Sequence, residues 1–171
     1  QITDTCGMLE AYSEVDAKLV KLSNDPVAFR ATEDAAFVEA MGQEIARTIF
    51  YGDESTPEKF IGLSARFNTL DPKKAESAKN IIDAGGTANL ASMWLVGWSP
   101  LTVHGIYPRG SEAGLQQEDL GEVTITKADG SMFQGYRTHF KQNIGLAVRD
   151  WRYVVRIANI DMKAIKEDIS A

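Results

Sequence analysis

The chain is poor in the residues that specialised proteins concentrate. Its 171 residues include one cysteine, Cys6, so no intrachain disulfide and no cysteine pair for a zinc knuckle can form. Nothing points to an oxidising compartment, and synthesis in a reduced cytoplasm is the expectation. The longest apolar run, Met93 to Trp98, is interrupted by Gly97 and falls far short of the roughly 20 residues that a membrane-crossing helix needs. No membrane partner is expected. Positive charge is also scarce: 18 Lys and Arg stand against 24 Asp and Glu, a formal net charge of −6, which argues against a dedicated nucleic-acid binder. Any contact with DNA would have to be local.

What is present is ordinary globular material. With 44% hydrophobic and 25% charged residues, the chain can bury one substantial core or two small lobes. It opens on Gln1 with no initiator Met and no charged-then-apolar leader, so a fragment boundary or a processed end is expected there.

Helical spacing dominates the first third. Met8, Tyr12, Val15, Leu19 and Leu22 fall on one helical face, which predicts a first helix that stops at Ser23 to Asp25. Asp25 followed by Pro26 is a helix-start signature, because the carboxylate caps free amides and proline lacks the amide that would go unpaired. From there Ala31, Ala35, Val38, Met41, Ile45 and Ile49 trace one face up to Gly52. The spacing predicts a helix over about 26–51, roughly 37 Å long at about 1.5 Å per residue.

The rest reads as mostly β. Asp53 to Pro57 is an expected turn, Phe60 to Phe67 a partly extended stretch, and Lys73 to Lys79 a loop or brief helix. Met93 to Trp98 predicts a strand covered on both faces, and Val103 to Tyr107 a second short strand. Arg109 to Gly121, with its glycines and carboxylates, predicts an exposed loop. Glu122 to Thr126 and Met132 to Lys141, joined through Ala128-Asp129-Gly130, predict an antiparallel hairpin, and Leu146 to Ile157 begins as an alternating strand. Helices first and strands later, without a βαβ rhythm, predict an α+β fold.

No pattern of catalytic residues stands out. His104 and His139 have no second His or Cys at ligand spacing, and Ser64 and Ser99 each miss the last glycine of a nucleophile elbow. Gly85-Gly86 lacks the residues that complete a phosphate cradle. Glu112, Glu118, Asp119 and Glu122 lack the spacing of a calcium loop and predict a solvated acidic face. Arg137, Lys141, Arg149, Arg152 and Arg156 are interleaved with Tyr136, Phe140, Trp151 and Tyr153. Alternation could expose them as a phosphate-binding stripe, but the overall acidity favours pairing with carboxylates, within the chain or across a subunit contact. No catalytic, cofactor or metal site is assigned.

Longer stretches carry a resemblance. Asp4 to Asp16, Thr48 to Gly52, Ile81 to Thr87, Trp98 to Pro108, Ala113 to Gln116, Asp119 to Val123, Gln134 to His139 and Val148 to Ile160 occur in the order found in major capsid proteins of tailed bacteriophages. The chain resembles the C-terminal part of that family. Members carry an N-terminal arm and an extended loop ahead of the matching stretch, and the expectation is that this chain lacks both. The resemblance implies the phage capsid fold shared with encapsulins and herpesvirus floors, with the helix at 26–51 as the spine of a peripheral domain. Residues 1–57 and 122–150 would form that domain, and 58–121 with 151–171 a mixed-sheet axial domain. It implies a virion protein that assembles with copies of itself into capsomers and an icosahedral head around double-stranded DNA. Arg109, Glu112, Glu118, Asp119, Arg149 and Arg152 are the expected subunit contacts, and the truncated chain alone is expected to be a monomer or small oligomer. The alternatives are an encapsulin-like nanocompartment shell and, more distantly, an enzyme with a site assembled from scattered residues.

Overall fold

A computed structural model describes residues 3–56, 58–163 and 165. Pro57, which ends the expected turn, and 166–171, which end the expected axial segment, lie outside the described residues, as does Gln1. The fold is α+β, and the chain divides into two compact units. One holds Cys6–Thr48 and Tyr107–Ile144. The other holds the segments up to Thr5, Ile49–Ile106 and from Gly145 onward.

The first unit opens on a strand, β1 (Cys6–Asp16), followed by a short helix, α1 (Ala17–Leu22). This corrects the expected first helix. Leu9, Ala11, Ser13 and Val15 alternate inward while Met8, Glu10, Tyr12 and Glu14 point out. The four-residue spacing of Met8 and Tyr12 fits a strand face as well as a helix face, and pairing with the long strand β6 (Met132–Val148) decides between them. Asp16 then accepts a hydrogen bond from the Lys18 amide and starts α1.

The spine helix α2 (Pro26–Tyr51) begins as its sequence dictates, with Asp25 Oδ1 accepting from the amides of Val27 and Ala28 at 3.1 and 3.0 Å. Its buried line is narrow: Asp34, Met41 and Thr48, spaced by seven residues. Of the expected apolar face, Met41 is buried, Ile45 and Ile49 are half-buried, and Ala31, Ala35 and Val38 are exposed.

Strand β5 (Leu115–Thr126) pairs antiparallel with β6 from Leu115↔Gln142 to Thr126↔Met132, with a bulge between Asp119 and Glu122. The loop expected over Arg109 to Gly121 therefore ends at Gly114. Its second half carries polar side chains on a mostly solvated strand, so it has no apolar alternation to betray it. Phe140, Ile125, Val15 and Val20 form the core of this unit. Gly135 packs so closely that a Cβ there would collide with the Ile125 side chain and the Val15 carbonyl.

In the second unit, β2 (Ile81–Asp83) runs parallel to β7 (Val154–Asp161), and β3 (Leu90–Val96) antiparallel to it. A one-turn helix, α3 (Leu63–Arg66), lies in the stretch expected to be partly extended, and places Leu63 and Phe67 in the core. A 3₁₀ turn at Glu76–Asn80 precedes β2, and β4 (Val103–Ile106) pairs with the end of β6. Asn80 fixes the 3₁₀ turn at Trp151–Tyr153 and the start of β7, donating to the carbonyls of Trp151, Arg152 and Val154 at 3.0–3.3 Å.

The apolar run Met93 to Trp98 is covered on one face only, against expectation. Trp94 meets the Phe67 ring edge-on at 6.1 Å, and the Arg156 guanidinium lies 5.2 Å over Trp94 while donating to the Phe67 carbonyl at 2.6 Å. Met93 and Leu95 point the other way and are 56% and 61% exposed. Cross-strand register sets Met93 and Ile82 on either side of Ile157, and Leu95 beside Val155.

Candidate functional site

The most connected polar site is a clamp between the spine helix and the β5–β6 hairpin, all within the first unit. Arg30 sits one turn into α2, and Asp119 precedes the β5 bulge. The guanidinium and carboxylate meet fork to fork: Arg30 NH1 donates to Asp119 Oδ2 at 2.9 Å and NH2 to Oδ1 at 2.7 Å. The bulge supplies a third bond, from the Gly121 amide to Asp119 Oδ1 at 2.9 Å, with Gly121 at φ +74°. That left-handed backbone suits glycine and turns the amide back onto the carboxylate.

The clamp continues inward. Arg30 lies 4.8 Å over the Tyr136 ring and also donates to Thr138 Oγ1 at 3.3 Å. The Thr138 hydroxyl in turn donates to the buried Asp34 carboxylate at 3.1 Å. Hydrogen bonds from Arg30, then from the Gly121 amide, hold the Asp119 carboxyl below the usual range, and the bond to Asp119 raises Arg30. Nothing here activates a nucleophile or poises a base. The arrangement fixes the angle at which helix and hairpin cross, a mechanical role.

A second ladder ties β1 to β6. Arg137 pairs with Glu14 at 2.6 Å, Lys141 lies 3.6 Å from Glu10, and the Tyr12 and His139 rings stack at 4.6 Å. In the other unit, Arg152 pairs with Asp150 and lowers its carboxyl pKa, while Arg66 joins Asp4 at 2.6 Å to the Leu146 carbonyl at 3.1 Å. The interleaved basic residues are thus largely spent on partners inside the chain: Arg137, Lys141, Arg152 and Arg156 all have one.

The six residues expected at subunit contacts are divided between the two units. Arg109, Glu112, Glu118 and Asp119 belong to the spine-helix unit, whereas Arg149 and Arg152 belong to the other. Asp119 and Arg152 are engaged as described. Arg109 and Glu112 are exposed in the turn between β4 and β5, and Glu118 is exposed on β5 opposite His139. Arg149 is exposed after β6, with its backbone amide held by the Thr102 carbonyl at 2.7 Å. Sequence reasoning missed Arg30, Asp34 and Arg66, for which no local motif exists.

Among the described residues, no group of three or more His, Cys, Asp or Glu could hold a metal ion, and no helix is long and apolar enough to cross a membrane. No curated protein matches the chain significantly. Among solved structures, a chain in the cryo-EM structure of bacteriophage Epsilon15 superposes with a TM-score of 0.65 at 36% identity, covering 99% of this chain and 51% of its own. The present chain therefore spans about half the length of that relative. The holo-SrpI encapsulin complex from Synechococcus elongatus superposes with a TM-score of 0.59 over 91% of this chain and 74% of its own, at 9% identity, a likeness of fold. The family described as Major capsid protein GP7 matches residues 1–171, and the chain belongs to that family.

Proposed function

We propose that the chain is a structural subunit of a phage head, assembling with copies of itself into capsomers and an icosahedral shell around double-stranded DNA. The family match over residues 1–171 carries this reading. The unit with the spine helix, Cys6–Thr48 and Tyr107–Ile144, takes the peripheral role, and the unit with the β2–β7–β3 sheet takes the axial one. A shell subunit needs rigid elements and complementary patches and no reactive pocket, which fits a chain whose most developed polar site is a clamp. Its place is the virion, reached from the host cytoplasm, and no catalytic role or cofactor is assigned to it. Contacts with DNA are few and made to phosphate without sequence specificity, since basic side chains such as Arg137, Lys141, Arg152 and Arg156 are engaged within the chain.

Arg109, Glu112, Glu118 and Arg149, whose side chains have no partner among the described residues, are the best candidates for contacts between copies. Asp119 and Arg152 serve such contacts indirectly, by shaping the surfaces that carry them. The encapsulin reading is weaker, since that likeness rests on 9% identity. Cryo-EM and mass spectrometry of purified particles test the proposal. Peptides from residues 1–171 should dominate particles that contain DNA, with the spine helix visible in every lattice subunit. Particles filled with an enzyme cargo, or peptides found only outside particles, would overturn it.

A further inference from the structure

We infer that the turn carrying Arg109 and Glu112 docks into a pocket beside Arg149 on a second copy of this chain. The inference rests on the assembly reading above and names the two patches that meet.

The donor patch is a preorganised turn. The amide and hydroxyl of Ser111 both donate to the Pro108 carbonyl, at 3.1 and 2.8 Å, and Gln116 Nε2 donates to the Glu112 carbonyl at 3.2 Å. Gly110 and Gly114 bracket its acidic end with φ of +90° and +85°, and a Cβ built on either would meet nothing within 4 Å. The turn is therefore held in shape while standing clear of its surroundings, so little entropy is lost when it is captured. At its tip, Arg109 and Glu112 have no side-chain partner among the described residues. Two opposite charges, three residues apart, are left unused.

The acceptor patch lies in the other unit. A pocket of about 700 Å³ is floored by Ile61, Phe67, Val148 and Trp151 and carries Arg149 and Glu54. The other charges lining it, Arg66 and Glu76, are already taken by Asp4 and Lys79. Arg149 and Glu54 are both exposed and likewise have no side-chain partner among the described residues. The pocket thus offers one free cation and one free anion beside an apolar floor. The turn offers one free anion and one free cation. Glu112 facing Arg149, with Arg109 facing Glu54, satisfies all four, and an arginine fork gives the first pair direction. A contact between two different patches can repeat head to tail from copy to copy, the kind that closes rings.

Charge exchange tests it in particles formed by the virion protein that contains residues 1–171. Glu112→Arg and Arg149→Glu should each lower particle yield about tenfold or more, and the double variant should recover most of it. Circular dichroism of the soluble chains should be unchanged, since both positions are exposed. In a Cys6→Ser background, Glu112→Cys with Arg149→Cys should give a disulfide ladder of copies under mild oxidation. If the virion protein that contains residues 1–171 forms no particles without substitutions, the assembly reading and this contact both fall. If it forms particles while the single exchanges leave yield unchanged, the double gives no recovery, or the paired cysteines give no ladder, this contact alone is overturned.

Discussion

Arg30 reaches across 89 residues of sequence to hold both carboxylate oxygens of Asp119, at 2.9 and 2.7 Å. The pair is asymmetric in its surroundings, with the arginine side chain 20% exposed and the aspartate 55%. Water therefore screens the aspartate end, and most of the value lies in the geometry around the arginine.

Arg30→Ala removes the fork, the stacking on Tyr136 and a bond to Thr138 in one step. A loss on the order of 1–2 kcal/mol is expected after allowing for solvent screening of the pair. Arg30→Lys should recover only part of it, because a lysine cannot engage both oxygens in the same plane. Urea unfolding of the three proteins checks this, and equal midpoints would remove the clamp from any account of rigidity.

Acidification should act on the same pair. Hydrogen bonds from Arg30 and Gly121 depress the Asp119 pKa in the folded state, so its contribution is present above the unfolded value, about 3.9, and is lost as pH falls through the depressed folded one. Stability should therefore decline on acidification below about pH 4, with a shallower decline in Asp119→Asn. Thermal melts at stepped pH report the two slopes, and identical slopes would count against the assignment.

Two glycines should respond differently to alanine. At Gly135 a Cβ would run into the Ile125 side chain and the Val15 carbonyl, so a loss of about 1–3 kcal/mol is expected from overpacking. Gly130 sits in open space at φ +82° in the hairpin turn, and Gly130→Ala should lose only about 1 kcal/mol, from backbone strain alone. A larger fall in Tm for Gly130→Ala than for Gly135→Ala would contradict the packing described.

Neighbours on β3 should also part ways. Trp94 packs on Phe67, Phe50 and Arg156, so Trp94→Ala should lose about 3 kcal/mol. Met93 and Leu95 lie on the open face, and replacing either with lysine should change the isolated chain by no more than about 0.5 kcal/mol. Denaturant titration separates the two classes.

Those β3 residues also show where sequence reasoning stops. Met93 to Trp98 is apolar on both faces, and that pattern predicts cover on both sides, yet this chain supplies it only on the side of Trp94 and Arg156. The strand was legible; the bare face was not, because periodicity reports what a residue prefers and not whether a neighbour arrives. Met8 to Val15 failed differently, since the four-residue spacing of Met8 and Tyr12 serves a helix and a strand alike until β6 is there to pair with.

The sequence by itself determined the start of the spine helix, through Asp25 and Pro26, the β5–β6 hairpin, through its turn residues and alternation, and the family, through long matching segments in one order. These are local signals, or strings too long to arise by chance. Only the tertiary structure decided which charges are spent and which remain free. Glu118 and Asp119 are adjacent acids of the same local character, but the bulge turns Asp119 onto Arg30 and leaves Glu118 exposed. Bond formation between residues far apart in the chain depends on where folding carries the backbone, and no local spacing encodes that.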